Sequence, residues 1–177
     1  VRALSRLADL FVTFIGPQTY VDENGASQVT PATLRHLHKT FLNPSATTNG
    51  VPVNAADESL MTWSLAIGPK TYPEGQPSSS IAETFSLLRQ TIGTYDESVR
   101  TISIHDATYR DNSFVVGVPL QVVVGQPFSS VNARSGDLVV FTAKNLNQYA
   151  KQAGRVFIHM VAETIVELGE SGVQVYD

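Results

Sequence analysis

Apolar residues recur at helical spacing most clearly over 80–92. Ile81, Phe85, Leu88 and Ile92 fall at i, i+4, i+7 and i+11, and Ser80 with Glu83 three residues on makes a capping box. Gly93 is the natural stop. The spacing predicts a second helix over Thr30–Leu42, with Thr30 as N-cap, Pro31 at the first helical position and Leu34, Leu37 and Phe41 along one face. Asn43-Pro44 ends it. A shorter helix is expected from about Leu146 to Ala153, before Gly154. At the N-terminus Leu4, Leu7 and Phe11 share helical spacing, so Val1–Leu10 reads as a helix that turns into a short strand, Phe11–Ile15.

The C-terminal half alternates instead. Val99–His105 places Val99, Thr101, Ser103 and His105 on one side and Arg100, Ile102 and Ile104 on the other. Phe114–Val124 is nearly continuous in β-formers, with Pro119 marking a bulge, break or edge because it lacks a ladder donor. Asp137–Thr142 follows a Ser135-Gly136 turn. Arg155–Leu168 is long, with Ile158, Met160, Ala162, Thr164 and Val166 on one face. Its other face carries Phe157, Val161 and Ile165 beside His159, Glu163 and Glu167. Apolar residues on both sides predict a strand buried between layers, with its second half emerging at an edge. Leu60–Ile67 is a further strand, with Met61, Trp63 and Leu65 on one face. Gly16-Pro17, Glu23-Asn24-Gly25, 43–50 and 68–80 are loops.

Short strands separated by long Pro- and Gly-containing loops exclude a regular βαβ alternation. The expected class is mainly β: an antiparallel jelly-roll or Greek-key sandwich with two or three short helices in the inter-strand connections. At 177 residues the chain is one domain's worth, with 1–15 as an N-terminal arm. Only 16% of it is charged against 42% hydrophobic, so the surface is expected to be partly buried against something else. The absence of cysteine removes disulfides, thiolate catalysis and Cys-type metal sites. No apolar run approaches the length of a membrane span, so no membrane partner is expected. The net charge of −4 does not suit a polyanion binder as a whole. Cationic residues do gather locally: Arg2 and Arg6 at the start, and Arg35 and Lys39 around two histidines. The first residue is Val1 rather than Met, so a segment upstream is expected.

The candidate chemistry is thin. His36 and His38 would share a face on a strand and could hold a metal. On the predicted helix they diverge by about 200°, and with Lys39 they suit the negative end of the helix dipole. His105-Asp106 has the makings of a base and its orienting carboxylate, yet no G-x-S-x-G supplies a nucleophile. Glu163 and Glu167 on one strand would stand about 13 Å apart, too far for a glycosidase pair. Phosphate-binding glycine loops are absent. No catalytic residue, metal or cofactor is expected.

The run SGDLVVFTAKN, the connection LNQYAKQAG and the strand RVFIHMVAETIVEL resemble the last two strands of jelly-roll coat proteins. The group in question is the small icosahedral positive-strand RNA plant viruses, bromovirus-like and related. Leu138, Val140 and Phe141 and the run Val156-Phe157-Ile158-His159-Met160 carry the likeness, over about forty residues. It implies a capsid subunit of the virion that assembles with copies of itself into a closed icosahedral shell and encapsidates genomic RNA. In that group a basic N-terminal arm binds RNA; this chain has no Lys/Arg-rich arm, so the implied RNA-facing residues are Arg2, Arg6, Arg35 and Lys39, with the upstream segment. The rival is a carbohydrate- or ligand-binding β-sandwich such as a phage fibre or lectin-like module, for which Trp63 and Tyr72 would form an exposed aromatic site.

Overall fold

The computed structural model describes residues 6–15, 19–21, 24–29, 43–44, 61–93, 104–111, 113–121, 130–132, 137–146, 155–163, 165–169 and 172–176. The described chain is mainly β and antiparallel. In order it forms β1 (Arg6–Ile15), β2 (Thr19–Val21), β3 (Ser27–Val29), β4 (Thr62–Ile67), β5 (Lys70–Tyr72), α1 (Ile81–Ile92), α2 (Asp106–Asp111), β6 (Val115–Pro119), β7 (Val131–Asn132), β8 (Val139–Lys144), β9 (Arg155–Ala162), β10 (Ile165–Gly169) and β11 (Gly172–Tyr176).

Two sheets form the body. In the first, β1 is central: β9 runs along one side of it, and β6 with the short β7 along the other. In the second, β4 lies between β5 and β8. The strands β2–β3 and β10–β11 are separate two-stranded ribbons. Gly25, at φ 80°, supplies the left-handed residue for the β2–β3 turn that Asn24-Gly25 signals in the sequence.

β1 corrects the N-terminal expectation. Residues 6–10 are not helical and do not form an arm; they open a ten-residue strand that runs through the middle of a sheet. Leu7 and Phe11 match a helix only by coincidence of spacing. Leu10, Val12 and Phe14 alternate as a strand requires, and all three are buried.

The core lies where the two sheets meet. The Phe14 ring of β1 stands 6.2 Å from the Phe141 ring of β8, and Phe141 stacks on Trp63 of β4 at 6.1 Å. Phe14 also meets Phe114, which leads through Tyr109 of α2 to Phe85 of α1. Tyr109 is fully buried and its hydroxyl donates to the Val115 carbonyl at 2.8 Å. Removal from water pushes its phenol well above the ordinary tyrosine value, so it stays a neutral donor.

α1 forms where its caps predict. The Ser80 hydroxyl accepts from the Glu83 N–H, and Gly93 closes the helix in the left-handed region at φ 79°. The Glu83 carboxylate does not reach back to Ser80; it accepts from the Ser78 hydroxyl at 2.7 Å. The buried face is rotated from the predicted stripe. Ile81, Thr84, Leu88 and Thr91 are buried, while Phe85 and Ile92 are half-buried beside them. The two threonines enter the interior because each hydroxyl is satisfied. Thr84 accepts from the Trp63 indole N–H at 3.0 Å and donates to the Ser80 carbonyl at 2.9 Å. Thr91 donates to the Leu87 carbonyl at 2.7 Å. A Cβ on Gly117 of β6 would come 2.8 Å from the Leu88 Cα, so glycine lets helix and strand backbones approach.

The predicted helices over Thr30–Leu42 and Leu146–Ala153 fall largely outside the described residues. So do residues 99–103 of the strand expected at Val99–His105. Its last residue, His105, precedes the helix α2 instead of ending a strand. The strand expected over Phe114–Val124 is described only as Val115–Pro119, with Pro119 at its end. The long strand at Arg155–Leu168 is two strands: β9 stops at Ala162, and β10 begins at Ile165 and pairs with β11.

Candidate functional site

Outside the core, the described residues expose large apolar side chains on two strands, one in each sheet. All the large hydrophobic side chains that stand well exposed are Leu138 and Val140, on β8 and its approach, and Val156, Phe157, Ile158, Met160 and Val161 of β9. Leu138 is 72% exposed, and the five on β9 lie between 40% and 51%. Single exposed apolar residues are ordinary, but a continuous strand of them marks a surface that something covers.

β9 is exposed on both faces, although it pairs along its whole length with β1, whose core face is fully buried. Ile158 lies opposite Val12, Met160 opposite Leu10 and Val156 opposite Phe14, so these three continue the core face of the first sheet. Across β1 that face is covered; at β9 it is open. His159 lies opposite Phe11 and Phe157 opposite Thr13 on the other face. There the Phe157 and His159 rings lie nearly parallel, with centroids 6.4 Å apart. The expectation that this strand is buried between layers is therefore overturned. Its apolar faces lack a covering layer among the described residues.

The edge of β9 is open as well. Among the described residues only β1 pairs with it. The Glu163 N–H donates to the Arg6 carbonyl at 3.1 Å. An antiparallel ladder alternates, so the N–H and C=O groups of Val156, Ile158, Met160 and Ala162 point away from β1. A row of outward donors and acceptors on a strand without internal proline or lysine is a template for another strand. Charge appears only at its ends: Arg155, exposed, at the start, and Glu163, held by the Ser130 hydroxyl, just after the end.

The other candidates do not come together as sites. His105 is exposed at the start of α2, and its carbonyl caps the Tyr109 N–H. Asp106 faces Arg110 instead, in an i,i+4 ion pair at 2.9 Å. His105 and Asp106 form no base-and-orienter pair, since the carboxylate is engaged by Arg110. Glu163 and Glu167 do not share a strand. Trp63 is only 1% exposed and its indole N–H is taken by Thr84, so it belongs to the core and not to an exposed aromatic site with Tyr72. His36, His38, Arg2, Arg35 and Lys39 lie outside the described residues. Arg6 is described; it is half-buried at the start of β1, opposite Asn132. Among the described residues no group of acidic or histidine side chains has metal-holding geometry. No helix among them is long and apolar enough to cross a membrane.

Comparison with family models, with curated proteins and with solved structures finds no match.

Proposed function

We propose that this protein is a structural subunit that assembles with copies of itself, a coat protein built on an antiparallel jelly roll and forming a closed shell around RNA. The observation that carries the reading is β9, an eight-residue strand exposed on both apolar faces and, among the described residues, paired along one edge only. Burying such a strand is favourable at about 25 cal/mol per Å² of apolar surface removed from water. Contacts of this kind, each modest, hold a particle together when repeated over many copies, and rotations that close give a shell in place of a filament. A chain with 16% charged residues suits interfaces whose centres are depleted in charge.

The polyanion contact in this reading belongs to Arg2, Arg6, Arg35 and Lys39, on the inner wall of the particle, since the whole chain at −4 attracts no phosphate backbone by net charge. The decisive experiment is size-exclusion chromatography with negative-stain imaging of the native protein. Uniform hollow particles roughly tens of nanometres across are expected; a monodisperse small oligomer under every salt and pH condition tried overturns the reading. RNA binding that weakens with a log–log salt slope of about −0.7 per contacted phosphate is the companion test.

A further inference from the structure

We infer that Met160 is a reversible oxidation site that switches the association surface of β9, taking its oxygen from a peroxide. The chain has no cysteine and two methionines, so its sulfur chemistry rests on two thioethers. The structure places them in opposite environments. Met61 is 4% exposed and belongs to the hydrophobic core. Met160 is 44% exposed, on the apolar face of β9 that carries Val156 and Ile158. A peroxide in water reaches the second sulfur and not the first.

The step needs no other reactant. The thioether sulfur attacks one oxygen of hydrogen peroxide; an S–O bond forms as the O–O bond breaks, and the other oxygen leaves as water. Sulfur loses two electrons and the peroxide gains them. The product is a sulfoxide, a polar and chiral group where an apolar, flexible one stood. The described residues around Met160 on this face cannot hydrogen-bond the new oxygen. Ile158 on the same strand, and Leu10 and Val12 across on β1, carry no side-chain donor. In the free chain that oxygen stays in water and the fold is little affected. In an assembly it is carried into an apolar contact, where an acceptor without a donor is penalised. Oxidation therefore acts on association and spares the fold. A covered Met160 is also out of reach of peroxide, so assembled chains are protected and unassembled ones are marked.

The inference rests on the self-assembly reading for its consequence but not for the site. The full-length chain, kept dissociated by dilution, is treated with hydrogen peroxide, and both methionines are followed by peptide mass spectrometry. Met160 should oxidise roughly tenfold faster than Met61, in keeping with their exposure. The oxidised chain should keep its melting temperature but associate at least about tenfold more weakly. Sulfoxide reductases specific for the two epimers, with a dithiol that becomes a disulfide as the oxygen leaves as water, should restore association. Met160→Leu should assemble with or without peroxide, and Met160→Gln should assemble poorly without it. Equal oxidation of the two methionines, or assembly of the Met160-oxidised chain as tight as that of untreated chain, overturns the inference and leaves the coat reading standing. Loss of assembly in peroxide-treated Met160→Leu does the same. If untreated chain forms no particle or oligomer at all, the coat reading falls and the switch with it, while the relative oxidation rates still decide the site.

Discussion

β1 and β9 lie side by side, hydrogen-bonded over eight residue pairs, and read almost alike: RLADLFVTFI and RVFIHMVA. One is buried on one face and half-buried to buried on the other; the second is exposed on both. Hydropathy does not separate them. What separates them is neighbours: β1 has strands on both sides, a second sheet meeting it through Phe14, and α1 close against its partner β6. β9 has one strand and no covering layer among the described residues. An apolar strand thus stabilises either the fold or an association, and its sequence does not say which.

Truncation is the most direct way to break that comparison. Leu10→Ala in β1 should cost about 2–5 kcal/mol of unfolding free energy. Ile158→Ala, two pairs away on β9, should cost well under about 1 kcal/mol in the dissociated protein, because little burial is lost. Equal losses in urea melts of the monomeric form would show that β9 is packed as tightly as β1. A second variant sharpens the point on the other flank of β1. Gly117→Ala forces a methyl against the Leu88 backbone and should cost about 1–3 kcal/mol; a neutral result in the same melts would mean that α1 does not press on β6.

Smaller effects discriminate more finely. Ser80→Ala removes the N-cap of α1 and should cost about 1 kcal/mol, measured as a shift in melting temperature. Hydrogen exchange gives the finest reading. In the dissociated protein the outward amides of Val156, Ile158, Met160 and Ala162 should exchange fast, while those of Phe157 and His159, bonded to β1, exchange more slowly. On assembly only the first set should gain protection. Uniform protection of 156–162 before assembly would place another strand on the β9 edge.

The ends of α1 and the alternation of β4 were legible, but the buried face of α1 was not. The caps of α1 are local chemistry, Ser80 at one end and Gly93 at the other, and Met61, Trp63 and Leu65 alternate as a half-buried strand does. Where the reading failed, spacing was ambiguous. Leu4, Leu7 and Phe11 suit a helix on paper, but residues 6–15 gain more by completing ladders on both sides. β9 ends at Ala162 and β10 begins at Ile165, with no glycine or proline in the sequence between them to announce it. The candidate surface was partly legible: Arg155–Ala162 stood out as apolar on both faces, and the general rule that such strands are buried assigned it the wrong environment.

The sequence alone determined the local and compositional features: a capped helix, alternating strands, antiparallel class, and the absence of cysteine chemistry. These depend on backbone preferences and side-chain periodicity within a few residues, and such forces act before any long-range contact forms. Only the tertiary structure decided which apolar residues are core. Burial is a property of what lies opposite, and the partners of Trp63, Thr84 and Phe14 come from distant parts of the chain. It also decided that β9 has only β1 beside it among the described residues, because the count of neighbouring strands is set by the whole topology and not by its own eight residues.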